Sequence, residues 1–334
     1  MTQQRMTLQE AERLAVATLQ ACGASTIQAT SLAAGVAAAE RDGISSHGLV
    51  YLPTYCEHLQ CGKVDGNAEP VVEVPKPGSI QVDAATGFAH AAICAGFEPL
   101  MAAARANGCA AMGVNNSYNC GVLAFHTEKL AEAGLVGLGF TNAPASIAPF
   151  GGSTPVIGTN PFSLAVPGPD GAAFIIDQSA SVVAKSEIMV RARKGEAIPD
   201  HWAKDANGNP TTDASEALKG SMAPSGGYKG FSVGLLVEVM TAAVAGASLG
   251  MDASPFSGTA GGPPKTGQFF FALDPQVFSG GMFDSQIQSL CEAIQKQSGA
   301  QLPGQRRSKH RAVADEDGIS VSTELLEKIH SLVG

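Results

Sequence analysis

The sequence predicts an α/β protein in which a mixed sheet follows an N-terminal helical region. Three observations carry that prediction. Apolar residues recur at helical intervals through the first forty or so residues, with capping residues in place. From residue 79 onward, strand-like runs alternate with helical ones, the pattern of an α/β architecture. The strand-like run Phe162–Val166 follows Phe140–Asn142 with no helical stretch between, so the strands are not all parallel.

The first helix opens at Thr7, whose spacing to Glu10 is that of a capping box. Leu8, Ala11, Leu14, Ala15 and Leu19 form its apolar stripe, and Gly23 ends it. Ser25 or Thr26 opens a second helix that runs to about Arg41, where Asp42-Gly43 breaks it. Ser45-Ser46-His47-Gly48 follows in a loop, then a short helix over 52–60. Strands are expected at 79–84, 109–114, 135–142, 162–166, 173–177 and 268–273. Helices are expected at 89–106, 122–133, 182–194, 229–246, 283–297 and about 322–332. Pro and Gly concentrate in 144–170, 199–228 and 254–267, which marks candidate site loops.

The chain has 334 residues, enough for two lobes. Net charge is −9 and Lys and Arg form no dense cluster, which argues against nucleic acid as a partner, since phosphate backbones demand concentrated positive charge. The N-terminus lacks the apolar core of a signal peptide, and no stretch is long and apolar enough to span a bilayer. Seven cysteines, at 22, 56, 61, 94, 109, 120 and 291, include no CxxC pair. Neither a zinc site nor a disulfide framework is indicated, and reduced thiols in a cytoplasmic protein are the expectation.

The common nucleotide signatures are missing. Gly137-Leu138-Gly139 comes near GxGxxG, but Asn142 stands where the third glycine belongs, and Gly62-Lys63 is followed by Val64 rather than Ser or Thr. Asp205, Asn207, Asn209, Asp213 and Glu216 have calcium-loop spacing, yet Pro210 occupies the position that needs glycine, so a polar turn is expected there. Three other runs suggest a ligand site. FGGSTPVIGTNPF (150–162) can bring backbone N–H groups close to an anion. IIDQSAS (175–181) puts Asp177 at a strand end. APSGGYKGF (223–231) puts Lys229 at a helix start, against the helix dipole, where an anionic ligand would give it a purpose. Taken singly, each run is a turn plus a cap.

These runs, with RDGISSHG (41–48), NNSYNCG (115–121), GNPTTD (208–213) and LPGQRR (302–307), resemble the type-2 malate/L-lactate dehydrogenase family of NAD(P)-dependent oxidoreductases. The resemblance spans nearly the whole chain. It implies the family's own non-Rossmann NAD(P)-binding fold and a homodimer, with reduction of 2-oxo acids or, in one branch, cyclic 2-imino acids. The implied division is an N-terminal helical region, 1–75, that carries the SHG loop and packs with the C-terminal segment. Residues 76–115 and 251–334 then belong to the main α/β lobe, and 116–250 form the NAD(P)-binding lobe. The family's proton donor corresponds to His47, with Ser46 as its orienting partner; histidine titrates near neutral pH and suits that role. Thr159 matches a substrate-contacting position, with Tyr51 and Tyr55 beside the substrate. Cofactor contact is implied for Asn119, Cys120, Gly121, Val122 and Leu123, where a phosphate would sit at a helix N-terminus. It is also implied for Asp177, Gln178, Ser179, Lys185, Ser186, Lys229, Gly304, Arg306 and Arg307. No metal is implied.

Three departures bear on the substrate. Tyr51 stands where many 2-oxo-acid members carry arginine, Asn119 where many carry histidine, and Glu187 where many carry lysine. The reductases of Δ1-piperideine-2-carboxylate and Δ1-pyrroline-2-carboxylate carry an acidic residue at the last position, in a relay with the histidine. A Ser46–His47–Glu187 relay, with NADPH or NADH as reductant, is therefore the expectation, and L-proline or L-pipecolate the product. Tyr51 departs from this branch too, which leaves the substrate carboxylate to Thr159 or to backbone amides. The alternatives are a malate- or lactate-type dehydrogenase and a nucleotide-binding protein without chemistry.

Overall fold

The computed structural model describes residues 2–333. In chain order its elements begin with β1 (Gln3–Met6), α1 (Leu8–Ala21), α2 (Thr26–Arg41), α3 (Leu52–Gln60), β2 (Val71–Lys76) and β3 (Ser79–Asp83). α4 (Ala89–Asn107), β4 (Cys109–Ser117), α5 (Leu123–Glu132), β5 (Val136–Thr141), β6 (Phe162–Gly168) and β7 (Gly171–Gln178) follow. Next come α6 (Lys185–Lys194), β8 (Ala203–Lys204), α7 (Ala214–Ala217), β9 (Ser221–Met222) and α8 (Tyr228–Glu238). The chain finishes with β10 (Thr266–Leu273), α9 (Pro275–Ser279), α10 (Phe283–Gln295), α11 (Gln305–Asp317), β11 (Ile319–Ser322) and α12 (Thr323–His330).

α1 starts as the sequence predicts. Thr7 accepts from the Glu10 backbone N–H while the Glu10 carboxylate accepts from that of Thr7, which satisfies two of the donors a helix start leaves free. Ser25 caps α2 with its hydroxyl alone, which accepts from the Gln28 N–H. The small residues of these helices allow close approach. A side chain at Gly35 of α2 would lie 2.5 Å from Nε2 of His90 on α4. One at Gly96 of α4 would lie 2.3 Å from Sδ of Met112 on β4, so α4 lies tight against the sheet.

The main sheet is mixed, in the order β2-β3-β4-β10-β5-β6-β7. β3 and β4 run parallel and the other neighbours antiparallel. β4 runs through residue 115, so the expected division there cuts a strand of a continuous sheet. β1 pairs with β11, which ties the two ends of the chain together. Their core is shared: Leu19, Leu32, Leu49, Leu52 and Tyr55 pack with Val321 and Ile329.

Several elements differ from expectation. α6 starts at Lys185 rather than at 182, because Ser181–Ala184 remain an extended turn held by the Ser181 hydroxyl on the Val183 carbonyl. The long helix expected at 229–246 changes to a π-helical turn over Val239–Val244. β1, β2 and α11 have no counterpart among the elements the sequence predicts. The Asp205 carboxylate accepts from the N–H groups of Asn207 and Asn209, so the calcium-like run is a self-capped turn.

Candidate active site

His47 sits in a 3-10 turn, Ser45–His47, just past the end of α2. Ser46 Oγ lies 3.1 Å from His47 Nδ1, so the hydroxyl fixes the ring. The turn is held from behind by Glu40, which accepts from the Leu49 N–H at 2.7 Å. A side chain at Gly48 would collide with this carboxylate, at 2.2 Å, which explains the glycine of the SHG run. Burial raises the Glu40 pKa and the Leu49 hydrogen bond opposes that rise.

The charges that act on the imidazole come from distant parts of the chain. Burial lowers the pKa of His47, Asp177 opposes that shift, and Arg307 adds to it. Asp177 lies at the end of β7 and its carboxylate accepts from Arg307 Nη2 at 2.7 Å. It also accepts from the Ala124 N–H, in the first turn of α5, at 3.3 Å. This corrects one expectation: a phosphate at the α5 N-terminus would meet a carboxylate already there, with like charge against like. Arg307 is likewise paired with Asp177 rather than free for an adenosine phosphate, although its Nη1 is buried without a partner. Arg306 remains exposed.

Glu187, the expected third member of the relay, accepts from Arg191 Nε at 3.0 Å, one turn along α6. Among the described residues no hydrogen bond or ion pair joins it to His47. Lys185 and Ser186 open the same helix. Ser179 bonds to Ser181, and Gln178 is exposed.

An aromatic wall stands on the N-terminal side. The Tyr51 and Tyr55 rings lie 4.8 Å apart, edge to face. Tyr51 donates its hydroxyl to the Phe256 carbonyl at 3.1 Å, and Tyr55 donates to Asn119 Oδ1 at 3.2 Å. The residue in the arginine position is thus a neutral ring tied to the 255–258 loop. His58 and buried Lys63 bind the same loop, at the carbonyls of Gly258 and Pro255. Burial raises the pKa of Tyr51 and Tyr55, so both hydroxyls stay protonated and donate.

The turn after β4 buries most of its side chains and leaves little but backbone outward. Asn119 Oδ1 accepts from the Gly121 N–H, and Gly121 takes φ +64, a conformation that favours glycine. Cys120, Val122 and Leu123 are buried, and burial pushes the Cys120 thiol up to about 12. The Cys120 carbonyl is held by Nε2 of buried His126 at 2.9 Å. Thr159 is half-buried between buried Gly158 and Asn160, and its carbonyl accepts from the Ala180 N–H. Lys229 is exposed at the start of α8, behind Gly226 and Gly227, both at positive φ with open space around them. Gly304 opens α11 at φ +86 and its Cα side faces the Ile175 carbonyl.

A family model described as malate/L-lactate dehydrogenase matches residues 6–330. The chain belongs to that family. It is an oxidoreductase that uses a nicotinamide cofactor. One relative, (2R)-3-sulfolactate dehydrogenase (NADP(+)) of Chromohalobacter salexigens, is 43% identical over 90% of each chain. Another, Delta(1)-pyrroline-2-carboxylate reductase of Ancylobacter novellus, is 37% identical over 98% of this chain and 97% of its own. The crystal structure of delta1-piperideine-2-carboxylate reductase from Pseudomonas syringae superposes with a TM-score of 0.94 at 31% identity, covering 98% of this chain and 99% of that one. The family fold is therefore present, with its mixed sheet.

The residues suit a dinucleotide. Gly226 and Gly227 before Lys229 leave an open backbone cradle, and Arg307 Nη1, buried without a partner, is a donor that a cofactor acceptor would satisfy. Glu40 and His126 carry no sequence signal of their own. Each acts on the site through the backbone of another residue, Leu49 or Cys120.

Proposed function

We propose that this enzyme reduces a cyclic 2-imino acid, Δ1-pyrroline-2-carboxylate or Δ1-piperideine-2-carboxylate, to L-proline or L-pipecolate. The observation that carries the reading is the Ser46–His47 pair, an exposed hydroxyl on a half-buried imidazole that lies within the electrostatic reach of the Asp177–Arg307 ion pair. The imino-acid reductases among its relatives add weight, since they match over nearly their whole length. A nicotinamide held there would supply a hydride to C2. His47 holds the proton destined for the ring nitrogen, and Ser46 fixes which imidazole nitrogen faces outward. Asp177 favours the imidazolium against the cost of burial. Asn119, the Gly121 turn, Ser179, Lys229 and Arg306 would hold the cofactor. Thr159 meets the substrate, with Tyr51 and Tyr55 as an apolar wall suited to a ring. NADPH over NADH is part of this reading, on the strength of exposed Arg306.

A second reading is a 2-oxo acid as substrate, favoured by the sulfolactate dehydrogenase relative at 43% identity. The test measures NADPH oxidation with the two cyclic imines beside pyruvate, oxaloacetate and 3-sulfopyruvate. Turnover of the imines is expected. Turnover of oxo acids alone would sink the first reading in favour of the second. His47→Ala should abolish turnover and leave cofactor binding intact; unchanged turnover would remove His47 from the mechanism. We also propose a homodimer, joined through the exposed apolar face of α8 and its π-helical extension, where Leu235, Leu236, Val239 and Val244 face outward.

A further inference from the structure

Thr159 lies in a short loop whose neighbours are locked from an unexpected direction. Asn160 is fully buried and takes φ +39, a left-handed conformation, immediately before Pro161. Its amide is fully used. Nδ2 donates to the Gly234 carbonyl at 2.9 Å and to Glu238 Oε2 at 2.7 Å, while Oδ1 accepts from the Ala143 N–H at 3.3 Å. Glu238 is itself buried, at the C-terminal end of α8, and pairs with no cation among the described residues. Its other oxygen accepts from the Gly250 N–H at 2.6 Å and from Asn142 Nδ2 at 3.4 Å. Asn142 in turn accepts from the Gly267 N–H and donates to the Ser248 carbonyl.

A buried carboxylate without a cation is costly unless its oxygens are filled, and here three N–H donors fill them. Such a network holds one geometry or none. The surrounding glycines leave no slack. A side chain at Gly158 would lie 2.3 Å from the Ala143 carbonyl oxygen, and one at Gly234 would lie 2.8 Å from Ile157 Cδ1. Within 157–160 only Thr159 retains solvent access.

We infer that Asn160 and Glu238 are positioning residues for Thr159: they clamp the loop so that the Thr159 side chain is presented to the substrate at a fixed place. The inference rests on the reading of Thr159 as a substrate contact. Misplacement by an ångström is enough to cost a large factor in rate, so the clamp should register in substrate kinetics.

The test is a double-mutant cycle of Glu238→Gln and Thr159→Ala, read as substrate KM, kcat and NADPH affinity. Glu238→Gln keeps size and fold but turns one acceptor into a donor that faces donors. It should raise the substrate KM at least about tenfold, while NADPH affinity stays within about twofold. In the Thr159→Ala background it should add less than about twofold, because the residue it positions is gone. An equal effect in both backgrounds, or an unchanged KM in Glu238→Gln, would overturn the inference. If Glu238→Gln does not fold, Asn160→Gly serves in its place: glycine takes the left-handed backbone freely and removes only the amide. The same KM rise is then expected, and an unchanged KM would overturn the clamp. Should the wild-type enzyme turn over neither imino nor oxo acids, the proposed function fails by itself. Hydrogen exchange then decides the clamp: in Glu238→Gln the amides of 157–160 should loosen beside that of Gly250, from which Glu238 accepts directly, and uniform loosening, or none in 157–160, counts against it.

Discussion

His47 sits between opposed influences, and their signs fix how its chemistry should respond to pH. Burial and Arg307 favour the neutral ring; Asp177 favours the imidazolium. For a reductive step that needs His47 to give up a proton, activity falls as pH rises through its pKa. Asp177→Asn removes the influence that raises this pKa, so the falling limb of kcat/KM should move to lower pH. A pH profile on wild type and variant checks the direction, and a limb that stays in place would show that Asp177 does not act on His47. Glu187→Gln offers the contrast: its carboxylate is engaged with Arg191, so its profile should keep the wild-type position. A shift of the same size in both variants would restore Glu187 to the relay.

At the scale of elements, α11 joins the site to the N-terminal helices mainly through ions, with Ala314 as its one buried residue in their core. Arg311 bonds both Asp42, which caps α2, and Glu128 on α5, while Arg41 pairs with Asp315. One turn earlier, Arg307 reaches Asp177. Arg311→Met should cost about 3 kcal/mol, because two largely buried carboxylates lose their partner. Replacing Asp42 and Glu128 by their amides in the same chain should recover part of this. Urea unfolding midpoints of the two variants measure both effects. α11 also shows where sequence patterns stop being informative. The run QRRSKHRAVADED has no apolar stripe, and only Ala314 in it is buried. Its partners lie 183 and 269 residues away, beyond any local periodicity. α1 and α2, by contrast, carry local caps and apolar spacing, and both are found where the sequence predicts them. The site divides the same way. The SHG, GTN and GGYKG runs are contiguous and legible through the family resemblance, whereas the Asp177–Arg307 pair spans 130 residues and is visible only in the fold.

At the scale of the molecule, the apolar face of α8 is the surface that water should reject most. Leu236 and Val239 lie about half exposed on it, and Glu238, on the opposite side, belongs to the buried network behind Thr159. If the proposed dimer forms through this face, Leu236→Asp should yield monomers by light scattering; an unchanged mass would place the interface elsewhere. Sheet order has a different consequence, for the chain as it is made. β10 lies between β4 and β5 and hydrogen-bonds to both, yet it is the last strand of the main sheet to be translated. Until Leu273 leaves the ribosome, β2-β3-β4 and β5-β6-β7 are two half-sheets, each with a bare edge of unpaired amides and carbonyls. Such edges recruit other strands, so the nascent enzyme passes through a long aggregation-prone interval. A single late insertion then zips the halves together, and a chain cut short before Thr266 should be insoluble although most of its residues are present.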